Sequence, residues 1–414
     1  MLQSVFGILV FILLSWLVSE QRDKFPVRVV LAGVGLQFVL GLLLLKIPVF
    51  TSALSGINQL VLALEKATSA GTSMVFGYLG GAPLPFAEPY PGAAFVLAFK
   101  ALPIVLVLSA LSALLFYWRI LPLVISAFAK LFEKTLKVGG AEGLGLAANI
   151  FVGMVESPLL IRPYIKSLSR SELFSILCCG MATVAGTVIV LYASILNPVL
   201  PGSLSHILVA SVMSVPAAFV IARIMIPGST VTKAESLEID KKINSSMAAI
   251  VEGTHQGIRL LVYIVAMLII MVALIELVNL LLGFIPINLD SPLTLQMVLG
   301  YLFAPVVWLI GIPWQDALVA GSLLGTKSVI NEFVAYLNLA SLPAGSLSPL
   351  SMTIMTYALC GFANPGSLGI MIGGLTSMAP ERQNEIIQLG LKSLLAGTLA
   401  TCMTGAVVNI ILQI

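Results

Sequence analysis

The 414-residue sequence predicts an all-α polytopic membrane protein, with eight transmembrane helices, two re-entrant helical hairpins and interfacial helices that form inverted repeats. Three observations predict this fold class. Hydrophobic residues make up 59% of the chain and charged residues only 9%, whereas soluble domains are roughly 25% charged. Long apolar runs recur along the chain, and two segments between them are interrupted by polar residues. A short glycine motif also occurs twice, each time inside an apolar run.

Eight apolar runs are long enough to cross a bilayer, which takes about 20 helical residues. The first has no basic residue before it and no small-residue cleavage site after it, so we expect a span rather than a signal peptide. Two further segments, 51–72 and 121–138, place apolar residues at helical spacing and charges on another face, as interfacial helices do. The eight runs cover residues 3–19, 27–48, 93–119, 172–197, 205–227, 257–284, 350–378 and 387–412.

Two other segments, 141–170 and 313–341, are apolar enough for membrane depth but are broken by polar residues near their middle. Irregular backbone at that depth is tolerated only where it lines protein or a water-filled cavity. Both segments are therefore predicted to be re-entrant hairpins. Their interrupting residues are Asn149, Gly153, Glu156, Ser157 and Pro158 in the first, and Lys327, Ser328, Asn331 and Glu332 in the second.

The distribution of basic residues predicts the orientation. With both termini outside, seventeen of the 21 Lys and Arg residues fall in cytoplasmic segments, as the positive-inside rule requires. We expect a multi-pass protein of the plasma membrane. Its predicted regions are N-terminal scaffold spans and interfacial helices (1–135), a first hairpin repeat (136–227), a cytoplasmic linker (228–256), a scaffold span with connector (257–312), and a second hairpin repeat with the last span (313–414).

Composition excludes several function classes. The net charge of +3 is too small and too dispersed for nucleic-acid binding. The four cysteines have no CxxC spacing, and the two histidines form no HExxH motif. No nucleophile or phosphate-loop motif is present either, so we do not expect an enzyme.

The repeated motif is Cys-Gly-x-Ala followed by a polar residue, at 179–183 and at 360–364. Each copy lies in a span that follows one of the hairpins. The order of hairpin, broken span and span thus occurs twice, with an odd number of crossings between the two units. The repeats are therefore inverted, as in many secondary transporters, whose binding sites lie near the midplane where interrupted segments meet.

The hairpin carboxylates Glu156 and Glu332 are candidate substrate ligands, because a charge at that depth is usually functional. A buried ion pair, with Lys327 as partner of Glu332, is the alternative. Two carboxylates would repel an anion and would accept hydrogen bonds from a neutral polyhydroxylated molecule. Asn364 and Ser367 add polar groups, or simply cap the broken helix.

Phe362 and Tyr336 could stack on a flat ring, although packing is the more common role of an aromatic side chain in an apolar helix.

Several long motifs in this order resemble the concentrative nucleoside transporter family. The resemblance covers nearly the whole chain and implies a homotrimer with a scaffold and a mobile transport domain in the lipid bilayer. It also implies a nucleoside substrate, driven by a sodium or a proton gradient. The motifs are GTSMVFGYLGG at 71–81, AANIFVGMVESPLLIRPY at 147–164, MATVAG at 181–186, FAPVVWLIGIPW at 303–314, NEFVAY at 331–336 and CGFANPGSLGI at 360–370.

Carried over by residue, the resemblance implies that Glu332, Asn364 and Ser367 bind the ribose. It implies that Glu156 faces the base and that Phe362 packs against the nucleoside. It also implies a sodium ion at the first hairpin tip, bound by Asn149, Val152, Thr183 and Val184. In the alternative, Asn149 and Thr183 only satisfy exposed backbone.

The sequence departs from the family at two positions. Members commonly have Gln followed by Thr or Ser before the first hairpin glutamate, whereas this chain has Met154 and Val155. A site that reads a polar edge rejects analogues sharply, and an apolar one discriminates less. We therefore expect relaxed or shifted base selectivity.

The predicted function is sodium-coupled nucleoside import by alternating access. Proton coupling, or transport of another neutral polyol, is the alternative within transport. A hairpin-type channel or an intramembrane enzyme is the alternative from a different class.

Overall fold

A computed structural model describes residues 1–88, 93–228, 232, 243–285 and 292–414. Within these ranges the secondary structure consists of α-helices and two short 3-10 turns, without strands. The predicted all-helical fold class is therefore confirmed. Much of the predicted cytoplasmic linker (229–231 and 233–242) and part of the predicted connector (286–291) lie outside the described residues.

The described helices fall into two halves separated by the linker. The first half contains α1 (Leu2–Leu17), α2 (Val27–Lys46), α3 (Pro48–Phe76), α4 (Leu97–Lys100), α5 (Ile104–Tyr117), α6 (Ile120–Leu136), α7 (Gly140–Ala148), α8 (Glu156–Leu160), α9 (Arg162–Ile165), α10 (Arg170–Ala182), α11 (Gly186–Leu196) and α12 (Ser203–Met225). The second half contains α13 (Ser246–Gly283), α14 (Leu295–Ile310), α15 (Trp314–Val329), α16 (Glu332–Ala340), α17 (Pro349–Leu359), α18 (Pro365–Met378) and α19 (Gln383–Gln413).

Each of the eight predicted spans corresponds to helix in the structure. In the described ranges, six stretches are long and apolar enough to cross a membrane as they stand. The two other predicted spans are the shorter α1 and the broken pair of α17 and α18. The chain is thus a multi-pass membrane protein. The six stretches are Val27–Lys46, Leu97–Tyr117, Arg170–Leu196, Ser203–Met225, Ser246–Gly283 and Pro380–Gln413.

Two helix boundaries differ from the sequence analysis. α13 begins at Ser246, inside the predicted linker, because the Ser245 hydroxyl caps it by accepting the N–H of Ala248 at 3.1 Å. α14 was expected only as part of a connector, since its 16 residues fall short of a spanning length and include Pro305. The chain then bends by 114° into α15.

Both predicted hairpins and both glycine motifs contain helix breaks. α7 and α8 are separated by residues 149–155, and α15 and α16 by Ile330 and Asn331. The first broken span divides into α10 and α11 at residues 183–185, and the second into α17 and α18 at residues 360–364. We call 140–165 hairpin 1 and 314–340 hairpin 2. Their re-entry on one side of the membrane stays a prediction.

The interior and the periphery are built from different helices. Of the most apolar window in α12, 89% is buried, compared with 6% in α13. α12 packs against α2, α10 and α19, and α1 packs against α19. α13 packs mainly on α5 through Gly253, where a Cβ atom would lie 2.5 Å from the carbonyl oxygen of Ser109. Small residues of this kind let membrane helices approach closely. The division into scaffold and mobile parts stays a prediction.

Charged residues gather at one end of the helices. Glu20, between α1 and α2, pairs with Arg170 at 2.9 Å and with Lys392 at 2.6 Å. The buried Glu142 pairs nearby with Arg223 at 2.6 Å. Arg382 pairs with Glu385 at 2.8 Å at the same end. All four of these basic residues were predicted to be cytoplasmic.

Candidate substrate and cation site

The second broken span holds a carboxylate at its break. Asn364 is the N-cap of α18, and its Oδ1 accepts a hydrogen bond from the backbone N–H of Ser367 at 2.9 Å. Its Nδ2 donates to Oε2 of Glu332 at 2.8 Å. Asn364 therefore caps the broken helix and contacts the hairpin carboxylate with the same amide group. The Ser367 side chain is 8% exposed beside it.

Glu332 is the first residue of α16 and is only 5% exposed. Its helix starts there because the Asn331 side chain caps it, accepting the N–H of Val334 at 2.8 Å. The second carboxylate oxygen, Oε1, accepts the hydroxyl hydrogen of Tyr192 at 2.7 Å. A helix N-terminus favours negative charge. The helix and two donors thus stabilise a carboxylate that would otherwise be costly at this depth.

Tyr192 is a site residue that the sequence analysis missed. It lies on α11, the second half of the first broken span, and so joins the first repeat to hairpin 2. The available signal was a tyrosine in an apolar span, whose buried hydroxyl needs a partner. Tyr336, which was considered for ring stacking, is fully buried and donates to the carbonyl of Thr356 at 2.8 Å. Its ring centroid lies 4.9 Å from that of Tyr192.

The carboxylate of hairpin 1 is in a different environment. Glu156 is the first residue of α8, and its side chain is exposed. The next residue, Ser157, donates its hydroxyl to the carbonyl of Gly145 at 2.7 Å and so ties α8 to α7. In the described part of the chain no hydrogen bond or ion pair joins Glu156 to Glu332. A chamber shared by both carboxylates stays a prediction.

The two apolar positions before Glu156 pack against glycines. A Cβ atom at Gly180 would lie 3.0 Å from Cβ of Met154, and one at Gly374 would lie 2.7 Å from Cγ1 of Val155. Met154 is thereby held against the first broken span, and Val155 against α18. Both residues lie at the tip of hairpin 1, as the sequence predicts.

The two breaks are in direct contact. The backbone N–H of Phe362 donates to the carbonyl oxygen of Thr183 at 3.3 Å. A Cβ atom at Gly361 would lie 2.9 Å from the carbonyl oxygen of Met181, so only glycine permits this approach. The backbone of the first break is therefore hydrogen-bonded to the break that carries Asn364.

Each predicted cation ligand presents an oxygen atom that accepts no hydrogen bond from the described residues. Asn149 is 1% exposed and donates its Nδ2 to the carbonyl of Gly145 at 3.0 Å, but its Oδ1 is buried without a partner. Among the described residues, no hydrogen bond ends on the carbonyl oxygens of Val152 or Val184. The Thr183 hydroxyl donates to the carbonyl of Cys179 at 2.9 Å, which leaves its oxygen lone pairs available. Such oxygens suit a hard monovalent cation.

Lys327 is not the ion-pair partner of Glu332, which was the structural alternative for that carboxylate. Its Nζ donates to the carbonyl of Ala358 at 2.9 Å and to Oγ1 of Thr401 at 2.7 Å. None of the ion pairs found among the described residues includes it. The reason is the break at residues 330–331, after which Glu332 turns toward Tyr192 and Asn364.

Comparison with known proteins identifies the family. The model of the Na+ dependent nucleoside transporter N-terminus matches residues 6–79, that of a nucleoside recognition gate matches 98–199, and that of the transporter C-terminus matches 206–409. The nucleoside permease NupC of Helicobacter pylori is 35% identical over 98% of this chain and 97% of its own length. The chain belongs to the concentrative nucleoside transporter family.

Other relatives of this nucleoside transporter span bacteria and animals. The uncharacterized transporter YutK of Bacillus subtilis is 37% identical over 98% of both chains. Human solute carrier family 28 member 3 is 36% identical over 98% of this chain and 59% of its own length. These relatives are transporters, so the enzyme alternative is excluded.

Solved structures of the transporter CNTnw have the same fold. Its inward-facing substrate-bound state matches with a TM-score of 0.91 and 34% identity over 99% of this chain and 98% of that one. An outward-facing state of a CNTnw variant also matches with a TM-score of 0.91, at 33% identity over 100% of this chain and 98% of that one. The family fold thus occurs in an inward-facing and in an outward-facing state.

Proposed function

We propose that this nucleoside transporter is a secondary active importer, coupled to a cation gradient with sodium as the favoured ion, and that it works by alternating access. The hydrogen bond from Phe362 to Thr183 carries the proposal. It joins a candidate cation ligand to the break that holds Asn364 and, through it, Glu332. A cation that fixes the first break thereby also fixes the substrate-binding break.

The polar centre at Glu332 is suited to ribose. A carboxylate accepts hydroxyl hydrogens in strong charge-assisted bonds, and Glu332 is already oriented by Tyr192 and Asn364. The Ser367 hydroxyl makes no hydrogen bond within the described part of the chain and can turn toward a ligand. Ribose hydroxyls would replace or extend this network without burying an unpaired polar group.

The cation site would use Asn149, Val152, Thr183 and Val184. The unpartnered Oδ1 of Asn149 supports this ligand set, because an orphan buried oxygen is costly unless something binds it. The match to Na+ dependent transporters supports sodium as the ion. A proton is the second candidate for the coupling ion.

The base would meet an apolar surface at Met154 and Val155, with Glu156 and Phe362 beside it. Fewer polar contacts to the base edge give weaker discrimination between bases. Replacing Met154 with Gln and Val155 with Thr should sharpen selectivity about tenfold. Competition of uridine and adenosine for uptake measures this, and a wild-type preference of a thousandfold for one base would contradict relaxed selectivity.

The outward- and inward-facing states of CNTnw support alternating access for this chain. We propose that α5 and α13 belong to a fixed scaffold in the bacterial inner membrane, since α13 exposes most of its apolar surface. Three copies would assemble through such exposed helices into a homotrimer. Mass measurement of the purified protein tests the assembly.

Calorimetry of nucleoside binding tests the coupling. Because coupling is reciprocal, sodium should tighten uridine or adenosine binding, and the nucleoside should tighten sodium binding. Equal nucleoside affinity in sodium and in choline would eliminate sodium coupling, and a pH gradient would then be tested as the driving force. Proteoliposome uptake of uridine, adenosine and free ribose separates nucleoside from general polyol transport, and uphill accumulation rejects a channel.

A further inference from the structure

Lys327 is a fully buried basic residue that the proposed transport mechanism leaves without a role. It lies in the last turn of α15, three residues before the break of hairpin 2, and its side chain is 0% exposed. Its ammonium contacts the Ala358 carbonyl at 2.9 Å and the Thr401 hydroxyl oxygen at 2.7 Å. Both acceptors are neutral, and a cation buried in a membrane protein with no carboxylate in hydrogen-bond contact among the described residues calls for an explanation.

The acceptors of Lys327 have the character of a cation site. Ala358 lies in the last turn of α17, immediately before the break, where a helix presents the negative end of its dipole. The Thr401 hydroxyl donates its own hydrogen to the carbonyl of Thr398 at 3.0 Å, so it can only accept from Lys327. Interrupted helices in transporters bind cations at such half-helix C-terminal ends.

As far as the structure describes the chain, the same part of the first repeat carries oxygens and no basic side chain. There the C-terminal end of α10 meets hairpin 1 at Asn149, whose buried Oδ1 has no partner. A Cβ atom at Gly180, in the last turn of α10, would lie 3.6 Å from this oxygen. In both repeats the first half of the broken span therefore ends against its hairpin. Among the described residues, only the second repeat supplies a positive side chain at that point.

We propose that the Lys327 ammonium is a tethered cation, which fills in the second repeat the kind of site that a mobile monovalent cation occupies in the first. The inference rests on the proposed cation site at Asn149 for its comparison, and on the contacts of Lys327 for its chemistry. Removing the side chain creates a second site for sodium or for a small alkylammonium ion, at Ala358 and Thr401.

The experiment measures thermal unfolding of the purified full-length protein by tryptophan fluorescence, with sodium or methylammonium exchanged for choline at constant ionic strength. Asn149→Ala removes the first site, and is combined with Lys327→Ala or with Lys327→Met. Alanine leaves room for an ion, whereas methionine fills the space with an uncharged chain of similar length.

The expected result is that Asn149→Ala alone loses most of the sodium response. Asn149→Ala/Lys327→Ala should regain a rise in Tm of about 1–2 °C at ten times the dissociation constant of the ion. Asn149→Ala/Lys327→Met should stay flat. If the alanine variant responds to sodium and methylammonium no more than the methionine variant, the tethered-cation role is wrong.

Failure of the proposed sodium coupling gives a different result. The wild-type protein would then show no sodium response, while the alanine and methionine variants would still decide the second site through methylammonium. Recovery of folded protein is a further readout, because the alanine variant should survive purification in sodium or methylammonium better than in choline. Equal loss in all three buffers overturns the inference.

Discussion

The two repeats share one plan and differ in how completely their polar groups are paired. In the second repeat, Glu332 accepts from Tyr192 and Asn364, and Lys327 donates to Ala358 and Thr401. In the first repeat, Glu156 is exposed and Asn149 has a buried oxygen without a partner. The same fold thus contains one satisfied network and one unfinished one.

This difference indicates a division of labour. A network whose groups are paired before binding is pre-organised, so it spends little free energy on ordering when a substrate arrives. Orphan oxygens gain most from a ligand that pairs them. The second repeat is therefore suited to reading the constant part of a substrate, and the first repeat to responding to an ion.

The largest expected effect comes from Glu332→Gln. The amide keeps the shape of the side chain but removes the charge that would strengthen bonds from ribose hydroxyls. Charge-assisted bonds contribute about 1.5–3 kcal/mol each, so two lost bonds should lower uptake about 100-fold or more. Proteoliposome uptake of labelled nucleoside measures this, with unfolding temperature as the check on folding.

Glu156→Gln is the matched control for this comparison. Its side chain is exposed and makes no hydrogen bond to the described residues, so we expect a smaller loss of uptake and a shift in base preference. Equal losses for both variants would show that the two carboxylates act alike and would break the comparison between the repeats.

Asn149→Ala should remove the ion response of the first repeat. Coupling between sites is typically 1–3 kcal/mol, so the tightening of nucleoside binding by sodium, about 5–150-fold, should fall close to onefold. Affinity in choline should be unchanged. Asn279→Ala is the control, because that amide lies on the peripheral α13 and, within the described part of the chain, only accepts the N–H of Leu295 at 2.8 Å. Sodium dependence retained in Asn149→Ala would contradict the assignment.

A pair of tyrosine variants sharpens the role of pre-organisation. Tyr192→Phe removes a donor to Glu332 and should weaken nucleoside binding about tenfold or more, since a hydrogen bond to a charged group contributes about 1.5–3 kcal/mol. Tyr336→Phe removes a bond to the Thr356 carbonyl and takes no donor from Glu332. It should lower the unfolding temperature without changing affinity, and calorimetry of both variants distinguishes the two effects.

The sequence predicted the fold class and the positions of the helix breaks, because the signals are local. Apolar run length located the spans, and the Cys-Gly motifs located both breaks. The polar residues of hairpin 2 indicated Glu332, and Asn364 lies beside Pro365, where a helix must start anew.

Contacts between distant segments could not be predicted in this way. Nothing near Tyr192 in the chain indicates that its hydroxyl reaches Glu332, 140 residues away. Lys327 stood five residues before Glu332, which made an ion pair plausible, yet the intervening break separates the two side chains. α14 was missed because run length alone was the criterion, and its 16 residues are too few.

The smallest expected effect concerns the charged end of the first repeat, at the start of α10 and far from the hairpin tip. Glu20 holds the start of α10 to α19 through Arg170 and Lys392. If this charged end is anchored, the unpaired polar groups of the first repeat are confined to the hairpin tip. Glu20→Gln should then lower Tm by only about 1–2 °C, since partly exposed ion pairs contribute little, and should leave nucleoside affinity unchanged.

The pH dependence of stability tests the contribution of the pair formed by Glu20 and Arg170. Hydrogen bonding from Arg170, assisted by Lys392, lowers the pKa of Glu20 from 4.5 to about 2. Because the folded pKa is the lower one, the stabilisation is present above about pH 4.5 and is lost as the pH falls toward 2. The Tm difference between wild type and Glu20→Gln should therefore shrink through that window. Glu381→Gln, which removes an exposed pair with Lys166, should change Tm less than Glu20→Gln at neutral pH. A change in nucleoside affinity at neutral pH in Glu20→Gln would mean that the charged end moves together with the hairpin tip. The contrast between the repeats would then extend over the whole of hairpin 1.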